Sequence, residues 1–288
     1  MEKDQIIGVD LGGTNLRAGI ISQAIQGSMT SIPLNVEGTR DEVLAQIFGI
    51  VDNIIGPDVG AIGIGVPGLV DPASRIPYGV VNIRSINEMD LRTILEKRYN
   101  IPVRIENDAN CFALGEFHFG AGRYSKMLVG LTIGTGLGTG IIADGKLLIG
   151  KNGGAGEFGM INYLEKNIEY YVSGRFFMSE YGIKGEDIYK QALEGDPEAI
   201  YIFEDFGRHL GEAIKLIIYA LDPDCILIGG AVKAAFPFYS KSMWKTLDDC
   251  AFVLSHETLK IEASSLVNGN ILGAAALHLP VDKIIINE

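Results

Sequence analysis

Basic side chains are in deficit: 24 Lys and Arg stand against 36 Asp and Glu, a formal net charge of −12. Sequence-independent nucleic-acid binding rests on neutralising phosphates with Lys and Arg, so this balance argues against a nucleic-acid partner. Cysteine is scarce. Cys111, Cys225 and Cys250 are far apart and odd in number, which fits neither a disulfide framework nor C-x-x-C metal spacing. Three buried free thiols in a cytoplasmic protein are the expectation. Long apolar runs are missing too. The most apolar stretches, 61–70 and 215–221, are broken by Gly, Pro or Lys, which excludes a membrane-spanning helix. Only two apolar residues separate the polar start from Gly8, too few for the apolar core of a secretory leader, and the acidic residues there do not suit a transit peptide. His118, His209, His256 and His278 are dispersed and form no metal spacing. No G-x-x-x-x-G-K-[ST] occurs, which excludes a P-loop nucleotidase. With 47% apolar and 21% charged residues, disorder is excluded as well.

Glycine, by contrast, is abundant: 37 of 288 positions, about 13% where about 7% is average. Eleven of the 37 fall within 130–159, where an even spread (30 × 37/288) would place about four. The length suits one large or two ordinary domains. Residues 5–22 read as strand, turn (Gly12, Gly13, Thr14, Asn15) and strand. Residues 127–148 repeat the arrangement: a strand over 127–133, a turn over 134–140, a strand over 141–143, then a hairpin turn at Asp144-Gly145. Two such hairpins about 120 residues apart imply an internally duplicated α/β architecture. Apolar spacing predicts helices over 41–55 (capped by Thr39 or Asp41), 91–99, 206–221 and 269–279, with a buried strand over 225–228 leading into Gly229-Gly230. The 206–221 helix ends at Asp222-Pro223 because proline does not continue it.

Gly63-Ile-Gly65-Val-Pro-Gly68 matches G-x-G-x-x-G by letter, but the Pro67 and Leu-Val-Asp-Pro that follow do not open a helix, so the dinucleotide reading is rejected. The Asp10–Asn15 turn is better suited to a phosphate. Glycines expose backbone N–H groups, Thr14 and Asn15 add short polar side chains, and Asp10 can hold Mg²⁺ directly or through water. The bland alternative is an ordinary glycine-rich hairpin. The Gly134–Gly140 segment, with four glycines and two threonines, makes the pair more specific than either turn alone. Glu106-Asn107-Asp108-Ala109-Asn110 lies between a strand and a helix. One helix cap does not need four polar residues in five. An Asp beside an Asn suits a general base that deprotonates a hydroxyl while Asn holds its neighbour. Glu157, in a Gly-rich loop, is placed to accept hydrogen bonds from polyol hydroxyls.

Taken together these residues resemble the ROK family of sugar kinases, within the actin-like ATPase superfamily, over nearly the whole chain. Asp10-Leu-Gly-Gly-Thr-Asn-Leu-Arg17 resembles its first phosphate motif, and Gly65-Val-Pro-Gly-Leu-Val-Asp71 its sugar-side loop. Glu106–Asn110 resembles its catalytic segment, Gly134-Thr135-Gly136-Leu-Gly138 its second phosphate motif, and Leu221–Gly230 its adenosine-side segment. The resemblance implies an α/β, actin-like ATPase (ribonuclease H-like) fold of two α/β lobes with an interlobe active-site cleft. The smaller lobe would comprise 1–115 plus 274–288, and the larger 116–273. It implies Asp108 as general base and Gly68, Asn82, Asn107, Asp108, Glu157 and Glu169 on the sugar. It places Asp10, Gly12, Gly13, Thr14, Asn15, Arg17, Gly134, Thr135, Gly136, Gly229 and Gly230 around ATP, with Mg²⁺ at Asp10, and implies a homodimer.

The chain departs from the family where a histidine that binds sugar and a structural zinc is usual: Met160 stands there, and no cysteine follows in 161–168. No zinc is therefore expected, and packing of Ile161, Tyr163, Leu164 and Ile168 should hold the segment. The lost histidine bears on which sugar is taken, not on whether one is phosphorylated. The family's repressors carry an N-terminal helix-turn-helix, for which a first strand near Gln5 leaves no room. The activity implied is ATP-dependent phosphorylation of a hexose or N-acylhexosamine hydroxyl. Its rivals are a non-catalytic sugar- or nucleotide-binding sensor on the same fold and an actin-like ATPase with a protein client.

Overall fold

In the computed structural model, residues 4–22 and 25–279 are described, apart from the side chains of 25–28. The expected 274–288 portion of the smaller lobe thus lies outside the described residues from 280 onward. The first sheet runs Ile25–Pro33, Asn15–Ser22, Gln5–Leu11, Val59–Val66, Val103–Asn107 in spatial order. Its first three strands pair antiparallel and the last two join in parallel. The second sheet has the order Lys146–Leu147, Leu137–Ala143, Met127–Ile133, Cys225–Gly229, Lys260–Ala263. Numbered along the chain, both orders read third, second, first, fourth, fifth, which is the duplication that the paired hairpins imply.

The parallel strands read as near-continuous apolar runs because both faces are covered. In the first sheet Ile7, Val9, Leu11, Ile62, Ile64 and Ile105 are buried among Val43, Ile47, Ile50 and Val51 of the helix Arg40–Asp52. That helix starts at a capping box. Thr39 Oγ1 accepts from Glu42 N–H at 3.3 Å, and the Glu42 carboxylate accepts from Thr39 N–H at 2.7 Å. In the second sheet Val129, Leu131, Ile226 and Ile228 are buried with Leu210, Ala213, Ile214, Ile217 and Ile218 of the long helix. This helix spans Pro197–Leu221, starting well before the expected 206. Its start signal is Asp196-Pro197: the Asp196 carboxylate accepts from Glu198 and Ala199 N–H at 2.8 and 3.0 Å, and proline sits in the first turn.

Two compact units emerge. Among the described residues the first comprises 4–124, 140–155 and 266–279, and the second 125–139 and 156–265. The division differs from the one expected, which put the first boundary at 115/116 and gave the smaller lobe only 274 onward. The physical reason is helix contact. The helix Gly269–Ala276 packs on Asp108–Phe119 and on strands Gln5–Leu11 and Val59–Val66, so both helices belong wholly to the first unit. Side chains would not permit that approach: a Cβ on Gly273 would lie 1.5 Å from Cys111 O, and one on Gly115 would lie 2.3 Å from Gly269 O. Gly140 joins the same unit, its Cβ position being 2.4 Å from Ala109 O. Much of the glycine excess is therefore packing. The second hairpin also differs. Only 134–136 form the turn, and Leu137–Ala143 is strand, so Gly140 serves close approach and not a loop. Asp144 and Gly145 turn as expected, with φ of 46° and 74°, the positive pair of a two-residue hairpin.

Candidate active site

In the first unit, Asp10 is the penultimate residue of its strand, opposite Arg17 in the hairpin register. It is buried, and Asn270 Nδ2 donates to its Oδ1 at 3.5 Å. Burial pushes the carboxyl above its ordinary range, against the opposing pull of the Arg17 charge and the Asn270 hydrogen bond. The turn beyond it is tied by Gly12 N–H donating to Asn15 O at 3.0 Å. Gly13 and Thr14 are exposed.

The segment 106–110 is a frame built on a helix start. Asn107 is the N-cap of Asp108–Phe119, its Oδ1 accepting from Ala109 and Asn110 N–H at 2.9 and 3.1 Å. Its Nδ2 donates to Gly68 O at 2.8 Å, tying the 65–71 loop to the helix. Gly68 takes φ 81°, a conformation that a side chain would strain. The cap reading of Asn107 holds, and most of its bonding capacity is committed to scaffold. Asp108 follows at the first helical position, with Oδ1 accepting from Ala109 N–H at 2.9 Å. Behind it stands a residue that sequence reasoning left without a role. Glu106 is buried. Its Oε1 accepts from Asn107 N–H at 2.8 Å and from Asn110 Nδ2 at 3.0 Å, while its Oε2 takes Arg75 Nη1 at 3.0 Å. The run of polar residues in 106–110 was the visible signal; that its first member aligns the others was not. Asn82 is exposed, and among the described residues no hydrogen bond joins it to the Gly68–Asn107 pair.

In the second unit the turn 134–136 is held by Gly134 N–H to Gly136 O at 3.0 Å and by Gly174 N–H to Gly134 O at 2.6 Å. Glu169 reaches this turn. Its Oε2 accepts from Leu137 N–H at 3.1 Å, and its Oε1 lies 3.5 Å from Arg175 Nη1. Glu157 precedes the short turn Phe158–Met160. The residue is exposed, yet partial burial of its carboxyl and then the Glu169 charge raise its pKa above the ordinary value. Thr135 is exposed. Gly229 ends its strand, and Gly230 follows at φ 80°, with a Cβ position only 2.3 Å from Ile133 O.

The segment 161–168 departs from expectation. Ile161 and Leu164 are exposed at 41% and 67%, because they flank and turn the small hairpin Asn162–Tyr163/Lys166–Asn167. Ile168 is buried, and Tyr163 anchors the hairpin, its hydroxyl 3.0 Å from His209 Nδ1 and its ring edge-on to Tyr171 at 5.4 Å. Among the described residues no three His, Cys, Asp or Glu side chains gather as a metal group would require.

Nucleotide and Mg²⁺ fit these residues by one test. Neither Gly13 nor Gly134 has a positive φ, and a Cβ at either would meet nothing within 4 Å. The fold does not require glycine there, which leaves the backbone of each turn open to a phosphate. Asp10 offers the single carboxylate that Mg²⁺ commonly takes from protein when phosphates and water complete its shell.

The sheet order repeated in the two units is that of an α/β protein of the actin-like ATPase class. The chain belongs to the ROK family, whose sequence pattern matches residues 6–280. An N-acetyl-D-glucosamine kinase of Pasteurella multocida is 30% identical, covering 94% of this chain and 98% of that one. A ROK family glucokinase from Streptomyces griseus, solved with glucose and AMPPNP, superposes with a TM-score of 0.83 at 29% identity, covering 95% and 98% of the two chains. A ROK family transcriptional regulator, a homologue of the E. coli MLC protein, reaches 0.84 at 26% identity, covering 95% of this chain but 77% of its own.

Proposed function

We propose that this protein is an ATP-dependent kinase for a hydroxyl of a hexose or N-acylhexosamine. Asp108, at a helix start and aligned by Glu106 and Asn107, is the observation that carries the reading. A non-catalytic sensor would not need a carboxylate held in such a frame, and likeness to a regulator of the same fold does not supply a reason for one. Asp108 takes the proton of the acceptor hydroxyl as that oxygen bonds to the γ-phosphorus and the bond to ADP breaks. The Nδ2 proton of Asn107 not given to Gly68 is available to a neighbouring hydroxyl, and Glu157 and Glu169 accept from others. Amides of 12–15 in the first unit and of 134–136 in the second would each take negative charge of the nucleotide phosphates, with Arg17 next to the first turn and Gly229-Gly230 assigned to the adenosine. Asp10 would hold Mg²⁺, which when bound neutralises phosphate charge.

We also infer a cytoplasmic homodimer with no nucleic-acid or membrane partner. The net charge of −12 supports the absence of nucleic acid, among the described residues no helix is long and apolar enough to cross a membrane, and two-fold pairing is the commonest assembly of soluble enzymes.

The test is a coupled ADP-release assay over a panel of hexoses and N-acylhexosamines. Asp108→Asn should lower turnover by roughly 10²–10⁴-fold with nucleotide binding unchanged. Near-normal turnover in that variant removes Asp108 as the base. Tight sugar binding without ADP release in the native protein returns the sensor.

A further inference from the structure

Next to the buried Glu106, on the side of Arg75, the first unit has a half-open pocket of about 530 Å³. Its lining is unusual for a chain of net charge −12: Arg75, Arg92 and Arg104 contribute to it, three of the ten arginines in the sequence. Glu106 is the one carboxylate in the lining, and His118 the one further titratable group; the rest is aliphatic side chains and a glycine. Burial, with the charge of Arg123, lowers the His118 pKa, so at neutral pH that ring adds no charge. Three arginines thus share the lining with one carboxylate.

The guanidiniums are incompletely used. Arg92 Nε is buried and has no hydrogen-bond partner among the described residues. The carboxylate that feels the Arg92 charge, Asp90, is committed as the N-cap of Leu91–Tyr99, accepting from Thr93 N–H at 3.0 Å. Arg104 Nη1 donates to Leu277 O, a neutral acceptor. Of the three, only Arg75 is ion-paired among the described residues, and its backbone is held at φ 62°, in the left-handed region that costs a non-glycine residue. A buried guanidinium nitrogen without a partner forfeits its hydration, so a site with one is incomplete as it stands.

We propose that this cavity binds a small phosphate-bearing anion, gripped by Arg92 and Arg104 and drawing Arg75 away from Glu106. Guanidinium forks match the oxygen spacing of a phosphate, and two or three converging on one space form the usual means of holding a dianion. The aliphatic remainder of the lining leaves room for a carbon skeleton of hexose size. Occupancy has a route to the Asp108 frame. Glu106 has its Oε2 on Arg75 and its Oε1 on Asn107 N–H and Asn110 Nδ2, the residues that flank Asp108. An anion that takes Arg75 leaves a buried carboxylate without its ion pair, and the cap that aligns Asp108 loosens with it. The site is thereby an inhibitory one.

Calorimetric titration of the full-length protein tests this whether or not it is a kinase. Inorganic phosphate and glucose 6-phosphate are the two probes, each in chloride buffer without nucleotide. Both should bind saturably, and Arg92→Gln should weaken both by about tenfold or more. Arg92→Lys, which keeps the charge but not the fork, should recover part of the loss. Gly134→Val, which fills the second nucleotide turn, should leave the phosphate heat in place. Tighter binding of glucose 6-phosphate identifies a phosphomonoester as the occupant; equal binding identifies the phosphate group alone. Arg104→Gln gives a second route should Arg92→Gln lose its folded transition. No saturable heat in the native protein overturns the proposal. So does native affinity in a folded Arg92→Gln, or abolition of the heat by Gly134→Val, which would place the anion on the nucleotide turn.

Discussion

The Asp10 carboxyl is 6% exposed as a residue, and its pKa stands above the ordinary 3.8 because desolvation outweighs both the Arg17 charge and the Asn270 hydrogen bond. A raised folded-state pKa means that the folded protein holds the proton more tightly than the unfolded chain does. The stability tied to that proton is complete below about pH 3.8 and is lost as pH rises through the raised value. Wherever Asp10 is ionised, its burial is therefore a cost to the folded state. Asp10→Asn keeps the shape and removes the charge. Its thermal midpoint at pH 7 should match or exceed that of the native protein, by about 2–4 °C for each kcal/mol of relieved desolvation. The gap should close below pH 4, while ADP release at limiting Mg²⁺ falls. A midpoint clearly below the native one at pH 7 would show that the carboxylate is stabilised in place, against this account. Asp10, Asn107 and Asp108 were legible in sequence because each sits in a short local motif. Asn270 and Arg75 were not, since they reach Asp10 and Glu106 from 260 and 31 positions away.

Elements were legible where the pattern is local and less so where tertiary contact decides. The helix Leu91–Tyr99 and the strand Met127–Ile133 match their predicted bounds, because apolar spacing and flanking breakers suffice. The turn 134–140 was overextended since its glycines look alike in sequence, whereas Gly140 answers to a helix backbone that no local window contains. The hairpin 162–167 shows the same limit: its anchor, His209, lies on the long helix 46 positions from Tyr163. The glycine-mediated contact of Gly269–Ala276 with Asp108–Phe119 offers the sharpest element-level test. A methyl group at 273 has to displace the Cys111 carbonyl, and overpacking of this kind costs typically about 1–3 kcal/mol. Because the displaced helix begins at Asp108, Gly273→Ala should lower both the denaturation midpoint and turnover. Gly182→Ala, at a helix end where a Cβ meets nothing, should cost stability through its φ of 69° but leave turnover near native. Equal loss of turnover in the two would mean that activity follows global stability and not the helix contact.

Neither unit is a continuous stretch of chain. The first returns twice, at 140–155 and at 266–279, and the second is interrupted once. Each has its own core, one around Ile7, Ile62 and Ile47, the other around Phe176, Phe206 and Ile226. The consequence for folding is asymmetric. Residues 266–279 bring the first unit Ile271 and Leu272, both buried, and three buried alanines, together with the backbone that Gly8 and Gly63 accommodate at 2.1 and 1.8 Å from their Cβ positions. At about 1.5–3 kcal/mol for each large aliphatic side chain, the two contribute about 3–6 kcal/mol, which reaches the lower end of the about 5–15 kcal/mol that holds a whole domain folded. The second unit loses nothing of its own when the chain stops at 265. A chain ending there should keep one cooperative thermal transition, with the near-ultraviolet signal of the Tyr171, Phe176 and Phe206 cluster intact. Amide exchange should show the strands Gln5–Leu11 and Val59–Val66 unprotected. Native protection of those two strands in the shortened chain would show that the sheet and the helix Arg40–Asp52 hold the first unit without its returning helix.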